Sequence, residues 1–395
     1  MNPVTNGTIS TYGIRTRLDF GALRNIAVFR ALQLGDLLCL VPTLRALRLA
    51  APNAKITLIG LPWAESFAVR FNKYIDDYLM FPGFPGFPET APQINLIPEF
   101  FATAQQRQFD FAFQLHGSGG LSNPITMTLG AARTAGFYLP DAYCPDHEYF
   151  IPWLHAEHEV TQYLRLMEFL GAPTNNKSLE FPLQDIDYQA LRKAGQFRPP
   201  PGSYVCVHPG ARLESRRWLP KRFAQVADGL SEQGLQVVLT GSAGERPIVD
   251  AVLREMRAPA IDMCGRTELG SLAALIAGAR LLVSNDTGIS HIAAAVATPS
   301  VIVCSGADPL RWAPLDRKRH RVLYAAVPCR PCAHTVCPIG HPCAENVSAE
   351  KVLNEALRLC ADGALQPSNG PDRVLLSAPM RLSQSTHAVK RRLEP

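Results

Sequence analysis

No apolar run in these 395 residues approaches the roughly 20 needed to cross a bilayer, so the sequence offers no membrane-spanning helix. The first residues, MNPVTNGTISTYGIRTRLDFG, lack the apolar core of a signal peptide, and the expectation is a cytoplasmic protein. Charge is scarce as well. Asp, Glu, Lys and Arg make up 18% of the chain, and the net charge is only +5. That excess suits an anionic ligand or a membrane surface and leaves no nucleic-acid footprint. The paired C-x2-C knuckles of a zinc ribbon are missing, as is the ferredoxin cysteine spacing. In a cytoplasmic chain the ten cysteines read as thiols or metal ligands rather than a disulfide framework.

What is present is apolar: 47% of the residues are hydrophobic, enough in a chain of this length for two cores. The pattern alternates strands and helices, which gives an α/β fold with parallel sheets and right-handed crossovers. The organising stretch is Leu281 to Gly306, LLVSNDTGISHIAAAVATPSVIVCSG. Leu281 to Ser284 reads as a buried strand, Asn285 to Gly288 as a polar elbow, and Ile289 to Val296 as a helix stopped by Pro299. Such an elbow points backbone N–H groups and the positive end of a helix dipole at a diphosphate. Asp286 and Thr287 can cap the helix or accept hydroxyls, Gly288 admits close approach, and His291 lies one turn in. The bland alternative makes these residues caps and His291 a satisfied surface histidine.

The amino-terminal half opens in the same way. Ile26 to Phe29 is a strand, Arg30 to Gly35 a loop, and helical apolar spacing starts at Asp36, with Pro42 expected to kink the helix or mark where its regular part begins. Gly35-Asp36 is a phosphate-friendly elbow, and Asp36 is either a helix cap or a general base at the strand edge. The segment Phe81 to Pro92, FPGFPGFPETAP, is neither helix nor central strand. Its phenylalanines suit an acceptor-binding or membrane-facing lip, or packing against their own domain. His116 heads a glycine-rich turn after the strand Phe109 to Leu115. In the second half the strand Tyr204 to His208 leads into the turn Pro209-Gly210-Ala211 and a basic loop with Arg212, Arg216 and Arg217, and the strand Gln236 to Thr240 ends at Gly241. The expected organisation is a lead-in over 1–23, domains over 24–190 and 203–360, a Pro-rich linker over 191–202, and a disordered tail over 361–395. Two such halves form a cleft lined by both sets of strand ends. Within the second, Cys329, Cys332, Cys337 and Cys343 (loop 329–343) have C-x2-C-x4-C-x5-C spacing, which suits structural zinc, an iron–sulfur cluster, or a loop of reduced thiols.

Over residues 24–360 the chain resembles glycosyltransferase family 9, the heptosyltransferases of the lipopolysaccharide core. Four stretches carry the resemblance: LGDLLCLVPTLRALRLAAPNAKI, VHPGARLESRRWLPKRFAQVADGL, SNDTGISHIAAAVATPSVIVCSGADPLRWAP and CRPCAHTVCPIGHPC. The resemblance implies a GT-B architecture of two Rossmann-like domains, the acceptor on the first and a nucleotide-sugar donor such as ADP-heptose on the second. It also implies inverting transfer that requires no metal, a lipid-linked or core oligosaccharide acceptor, and peripheral work at the inner membrane surface. By it Asp36 is the base, and Asp286, Thr287, Gly288 and His291 bind the donor. Arg216 stands where the family often has a lysine, keeping the charge with a bidentate fork. Gly210, Gly241 and Glu245 fall on the donor side, Gly35 and His116 on the acceptor side. Competing readings are a transferase of another donor, a sugar-nucleotide epimerase, and a non-catalytic nucleotide- or metal-binding protein.

Overall fold

The computed structural model describes residues 18–194 and 199–361. Strands β1 (Asn25–Phe29), β2 (Lys55–Gly60), β3 (Asp77–Met80), β4 (Phe111–Gln114), β5 (Arg133–Tyr138) and β6 (Phe150–Pro152) form one sheet in the order β3-β2-β1-β4-β5-β6. A second sheet holds β7 (Tyr204–His208), β8 (Gln236–Leu239), β9 (Ala260–Asp262), β10 (Leu281–Asn285), β11 (Ser300–Val303) and β12 (His320–Leu323), in the order β12-β11-β10-β7-β8-β9. Every pairing is parallel. Each half thus has the doubly wound order in which the chain reverses direction beside its first strand, and ligands sit at that switch point. The central strands carry continuous apolar runs because helices cover both faces, and β7 and β10 are buried along their whole length.

The helices are α1 (Leu34–Ala50), α2 (Ala64–Arg70), α3 (Ile97–Gln106), α4 (Ser122–Thr128), α5 (Glu159–Leu170) and α6 (Asp185–Lys193), then α7 (Pro220–Ser231), α8 (Arg246–Glu255), α9 (Leu269–Gly278), α10 (Gly288–Ala295), α11 (Pro309–Trp312), α12 (Pro342–Glu345) and α13 (Ala349–Ala361). No helix among the described residues is long and apolar enough to cross a membrane. Pro42 lies within α1 without ending it, and the helix starts at Leu34, two residues before the apolar spacing suggests, because Gln33 and Asp36 form a reciprocal capping box.

Two boundaries differ from expectation. Residues 1–17 and 362–395 lie outside the described set, but the last part of the supposed lead-in is packed: Phe20 and Leu23 are buried in the first core. The linker was expected to begin at 191, yet α6 runs through Lys193 with Leu191 buried and Asp187 held bidentately by Arg70. The loop after β3 presents no aromatic lip. Phe81 and Phe87 turn inward and meet Phe29 edge-on, with ring centroids 5.1 and 6.4 Å away.

Candidate active site

Both switch points open on one cleft of about 340 Å³. Leu32, Gln33, Gly35, Asp36 and Glu89 line it from the first half, and Arg212, Leu213, Arg216, Asp286, Thr287, Gly288, His291 and Trp312 from the second. Four of the expected donor-binding residues, Asp286, Thr287, Gly288 and His291, therefore meet Arg216 and both members of the Gly35-Asp36 elbow in one cleft.

Asp36 is at once a cap and a cleft carboxylate. Its Oδ2 accepts from the Gln33 N–H at 3.1 Å, while Oδ1 lies 3.8 Å from the Arg30 guanidinium. Burial pushes its pKa above the ordinary aspartate value against the pull of Arg30, and Glu159 adds to the rise. Arg30 is itself fully buried. It donates to the Asp36 backbone oxygen at 2.9 Å and to Glu159 Oε1 at 3.0 Å, and it stacks on the Tyr163 ring at 4.4 Å. Glu159 in turn accepts from Arg311 of α11 at 2.8 Å, so a chain of charge joins the halves behind Asp36.

On the opposite wall, α10 begins at Gly288 with Thr287 in the N-cap position, but no side chain caps it. The first N–H groups of α10 stay available, and Thr287 Oγ1 has no partner. The capping reading of Asp286 and Thr287 is thereby set aside for this helix. Asp286 is buried, which raises its pKa, and Arg216 is the strongest influence opposing that rise. Arg216 Nε is likewise buried without a partner. His291 is no surface histidine. It is buried between the halves, with Nδ1 3.6 Å from Cys39 Sγ of α1, and burial lowers its pKa to about 4.

Gly210, Gly241, Glu245 and His116 stand outside the cleft lining. Glu245 caps its own turn by accepting from the Ser242 N–H at 2.8 Å, and a side chain at Gly210 would run into its carboxylate. These residues form the neighbouring edge of the second sheet, beside His208, whose Nε2 is 3.8 Å from Glu245. His116 lies behind the first wall, stacked on Phe29 with centroids 5.3 Å apart and with Nδ1 accepting from the Ala31 N–H at 3.2 Å. Burial lowers its pKa to about 3. Sequence reasoning passed over Glu89, Gln33 and Trp312; the first lies in the Pro/Gly-rich loop, where nothing periodic marks a side chain's direction.

The cysteine loop does not gather its thiols. Among the described residues no group of three or more His, Cys, Asp or Glu could hold a metal; Cys343 is buried, Cys329 is exposed, and all four are free thiols. The loop turns its backbone to Ser215 instead. Ser215 donates its N–H to Thr335 O at 2.9 Å and its Oγ–H to His334 O at 2.6 Å, and its own carbonyl lies 2.8 Å from His341 Nε2. Three contacts on the residue preceding Arg216 make the loop a buttress for the cationic wall.

Residues 100–342 match the model of glycosyltransferase family 9 (heptosyltransferase). The lipopolysaccharide heptosyltransferase 3 of Escherichia coli K12 is 30% identical over 164 residues, covering 41% of this chain and 48% of that protein. The chain spans from a third to two thirds of the length of the curated relatives it matches. In structure it is similar to a family 9 glycosyl transferase from Veillonella parvula (TM-score 0.70, 21% identity, 88% of this chain and 99% of that one). It is also similar to the E. coli ADP-heptose lps heptosyltransferase II (TM-score 0.65, 19% identity, 87% and 100%). These likenesses establish the two-sheet GT-B fold.

Proposed function

This chain belongs to glycosyltransferase family 9, and we propose that it transfers a heptosyl residue, with inversion, from ADP-heptose to a hydroxyl of a lipopolysaccharide core acceptor. The observation that carries this reading is the cleft itself, where a raised-pKa carboxylate of one half shares the lining with an uncapped helix start and with Arg216, whose Nε has no hydrogen-bond partner, of the other. The acceptor oxygen attacks the anomeric carbon from the side opposite the diphosphate. Asp36 Oδ1 takes the hydroxyl proton, and the bond to the diphosphate breaks with its electron pair leaving on ADP. Negative charge then grows on the diphosphate, where Arg216, Thr287 Oγ1 and the first N–H groups of α10 receive it. These groups stand where a divalent metal acts in other transferases, and the mechanism calls on no cofactor. A neutral His291 suits this wall, because it can donate a hydrogen bond without a counterion. We place the nucleoside of the donor towards Gly210, Gly241 and Glu245, at the ends of β7 and β8. We assign the cysteine loop to holding Ser215 and Arg216 rather than to a zinc or iron–sulfur centre. The acceptor is expected to be lipid-linked and met at the cytoplasmic face of the inner membrane.

The test is transfer from ADP-heptose to deacylated core oligosaccharide, wild type beside Asp36→Ala, with ADP binding measured by calorimetry. The expected result is transfer by the wild type and a loss of about 10²–10⁴-fold in kcat in the variant, with ADP affinity retained. Equal rates would reduce Asp36 to a helix cap. Tight ADP binding without transfer by either protein would redirect the donor assignment to other nucleotide sugars.

A further inference from the structure

The Pro/Gly/Phe loop delivers one acidic side chain to the cleft. Its anchoring is rigid: Phe87, two residues before Glu89, packs edge-on against His116 with centroids 4.9 Å apart, and the Gln93 N–H bonds Pro82 O at 2.9 Å. Glu89 lines the same cleft as Asp36, and its Oε2 is buried with no hydrogen-bond partner among the described residues. Behind it, His116 Nε2 is 3.9 Å from Oε1. Because His116 Nδ1 accepts from a backbone N–H, the neutral ring carries its proton on Nε2 and offers Glu89 a dipole rather than a charge. Burial and, to a lesser extent, the charge of Asp36 push the Glu89 carboxyl above its usual range, against the pull of its own backbone N–H and of Arg212.

A buried carboxyl oxygen without a partner wants a donor, and no hydrogen bond from the residues around the cleft reaches it. A diphosphate would be repelled, since Glu89 and Asp36 together make this the anionic wall, opposite Arg216 and α10. A neutral polyol fits. We propose that Glu89 is a specificity-determining residue whose free oxygen accepts a hydrogen bond from a second hydroxyl of the acceptor sugar, beside the one that attacks. This inference rests on the transfer reaction proposed above and adds what selects the acceptor: a sugar carrying two neighbouring hydroxyls and no anionic group at the second position.

The experiment compares wild type, Glu89→Ala and Glu89→Gln with ADP-heptose, the core oligosaccharide acceptor and a set of its monodeoxy forms. Glu89→Ala should raise the acceptor KM by about ten-fold or more, with donor KM and ADP affinity unchanged. Glu89→Gln, which keeps an accepting oxygen, should recover much of the loss. One monodeoxy acceptor should react equally well with wild type and Glu89→Ala, because the lost hydroxyl is the partner. An unchanged acceptor KM, a rise in donor KM instead, or a gap that no monodeoxy acceptor closes would each overturn the assignment. Should Glu89→Ala fail to fold, Glu89→Gln against the monodeoxy series decides alone. Failure of the wild type to transfer at all would instead sink the reaction itself, a separate outcome.

Discussion

At Asp36 a helix cap and a cleft position coincide, where the sequence alone offers a cap or a base as alternatives. One oxygen closes the capping box with Gln33, the other lies 3.8 Å from Arg30, and the residue lines the cleft, so a helix cap and a candidate base are the same residue. Helix capping makes the side chain rigid at no cost to its chemistry, since a carboxylate has accepting capacity to spare. Buried histidines give a second residue-scale consequence. His320 opens β12 beside Ser300 of β11, with Nδ1 2.8 Å from Ser300 Oγ, and burial lowers its pKa to about 4. A depressed histidine contributes stability above its unfolded pKa of about 6.5 and loses it as pH falls towards the folded value. The difference in unfolding free energy between wild type and His320→Gln should therefore shrink by up to about 1.4 kcal/mol per pH unit between roughly pH 6.5 and 4.5. Urea titrations across that range measure it, and a pH-independent difference would contradict the assignment. Legibility at this scale followed chemistry that repeats locally. Asp286, Thr287, Gly288 and His291 declared themselves through a strand–elbow–helix pattern, whereas Glu89 depends on how a loop turns, which no periodicity records.

Among elements, the close approach of α1 and α10 defines the cleft. The two helices start at facing glycines: a Cβ on Gly35 would stand 2.8 Å from His291 Cδ2, and one on Gly288 would stand 3.4 Å from Leu34 Cδ2. The Gly35-Asp36 elbow was readable as phosphate-friendly, but its partner proves to be another helix end, found only once the chain is folded. In an exposed helix, Gly→Ala gains about 1 kcal/mol. Gly35→Ala should show the opposite sign. It pushes α1 away from His291, so kcat/KM for transfer should fall by at least about ten-fold, and the thermal midpoint should not rise. Steady-state kinetics beside a melting curve checks both halves of that statement; a more stable, fully active variant would show that the two helices are not held in register here. The β-strands that escaped the sequence reading, β3, β5, β6, β9 and β12, are short strands at or next to the edges of the two sheets, whose three to six residues leave too little pattern to count. The cysteine spacing was legible, but spacing alone cannot distinguish thiols that converge from a loop that presents its carbonyls to Ser215.

Across the whole molecule, the two halves share an electrostatic chain that separates its partners by 129 and 152 residues: Arg30 to Glu159, and Glu159 to Arg311. No reading of neighbours in sequence could have assembled it. Arg30 and Glu159 are almost completely shielded from solvent, while Arg311 is 24% exposed. The asymmetry orders the effects of removal. Glu159→Gln strands Arg30 without its closest anion and should cost about 3–5 kcal/mol, the range for breaking a buried pair. Arg311→Ala leaves Glu159 paired with Arg30 and removes a partly hydrated cation, so it should cost less. The same chain reaches the base, because Glu159 raises the Asp36 pKa and Arg311 lowers it. With Asp36 as the proposed base, transfer requires its ionised form, so activity is expected to fall on the acid side as it takes a proton. Glu159→Gln should therefore move that acid limb to lower pH, and Arg311→Ala should move it to higher pH. A pH–rate profile for each variant, set against its urea midpoint, separates the electrostatic effect from simple loss of fold: destabilisation alone would lower the plateau in both without displacing the limbs in opposite directions. If the limbs move together, the charges of the second half are not felt at Asp36, and the join between the halves is mechanical only.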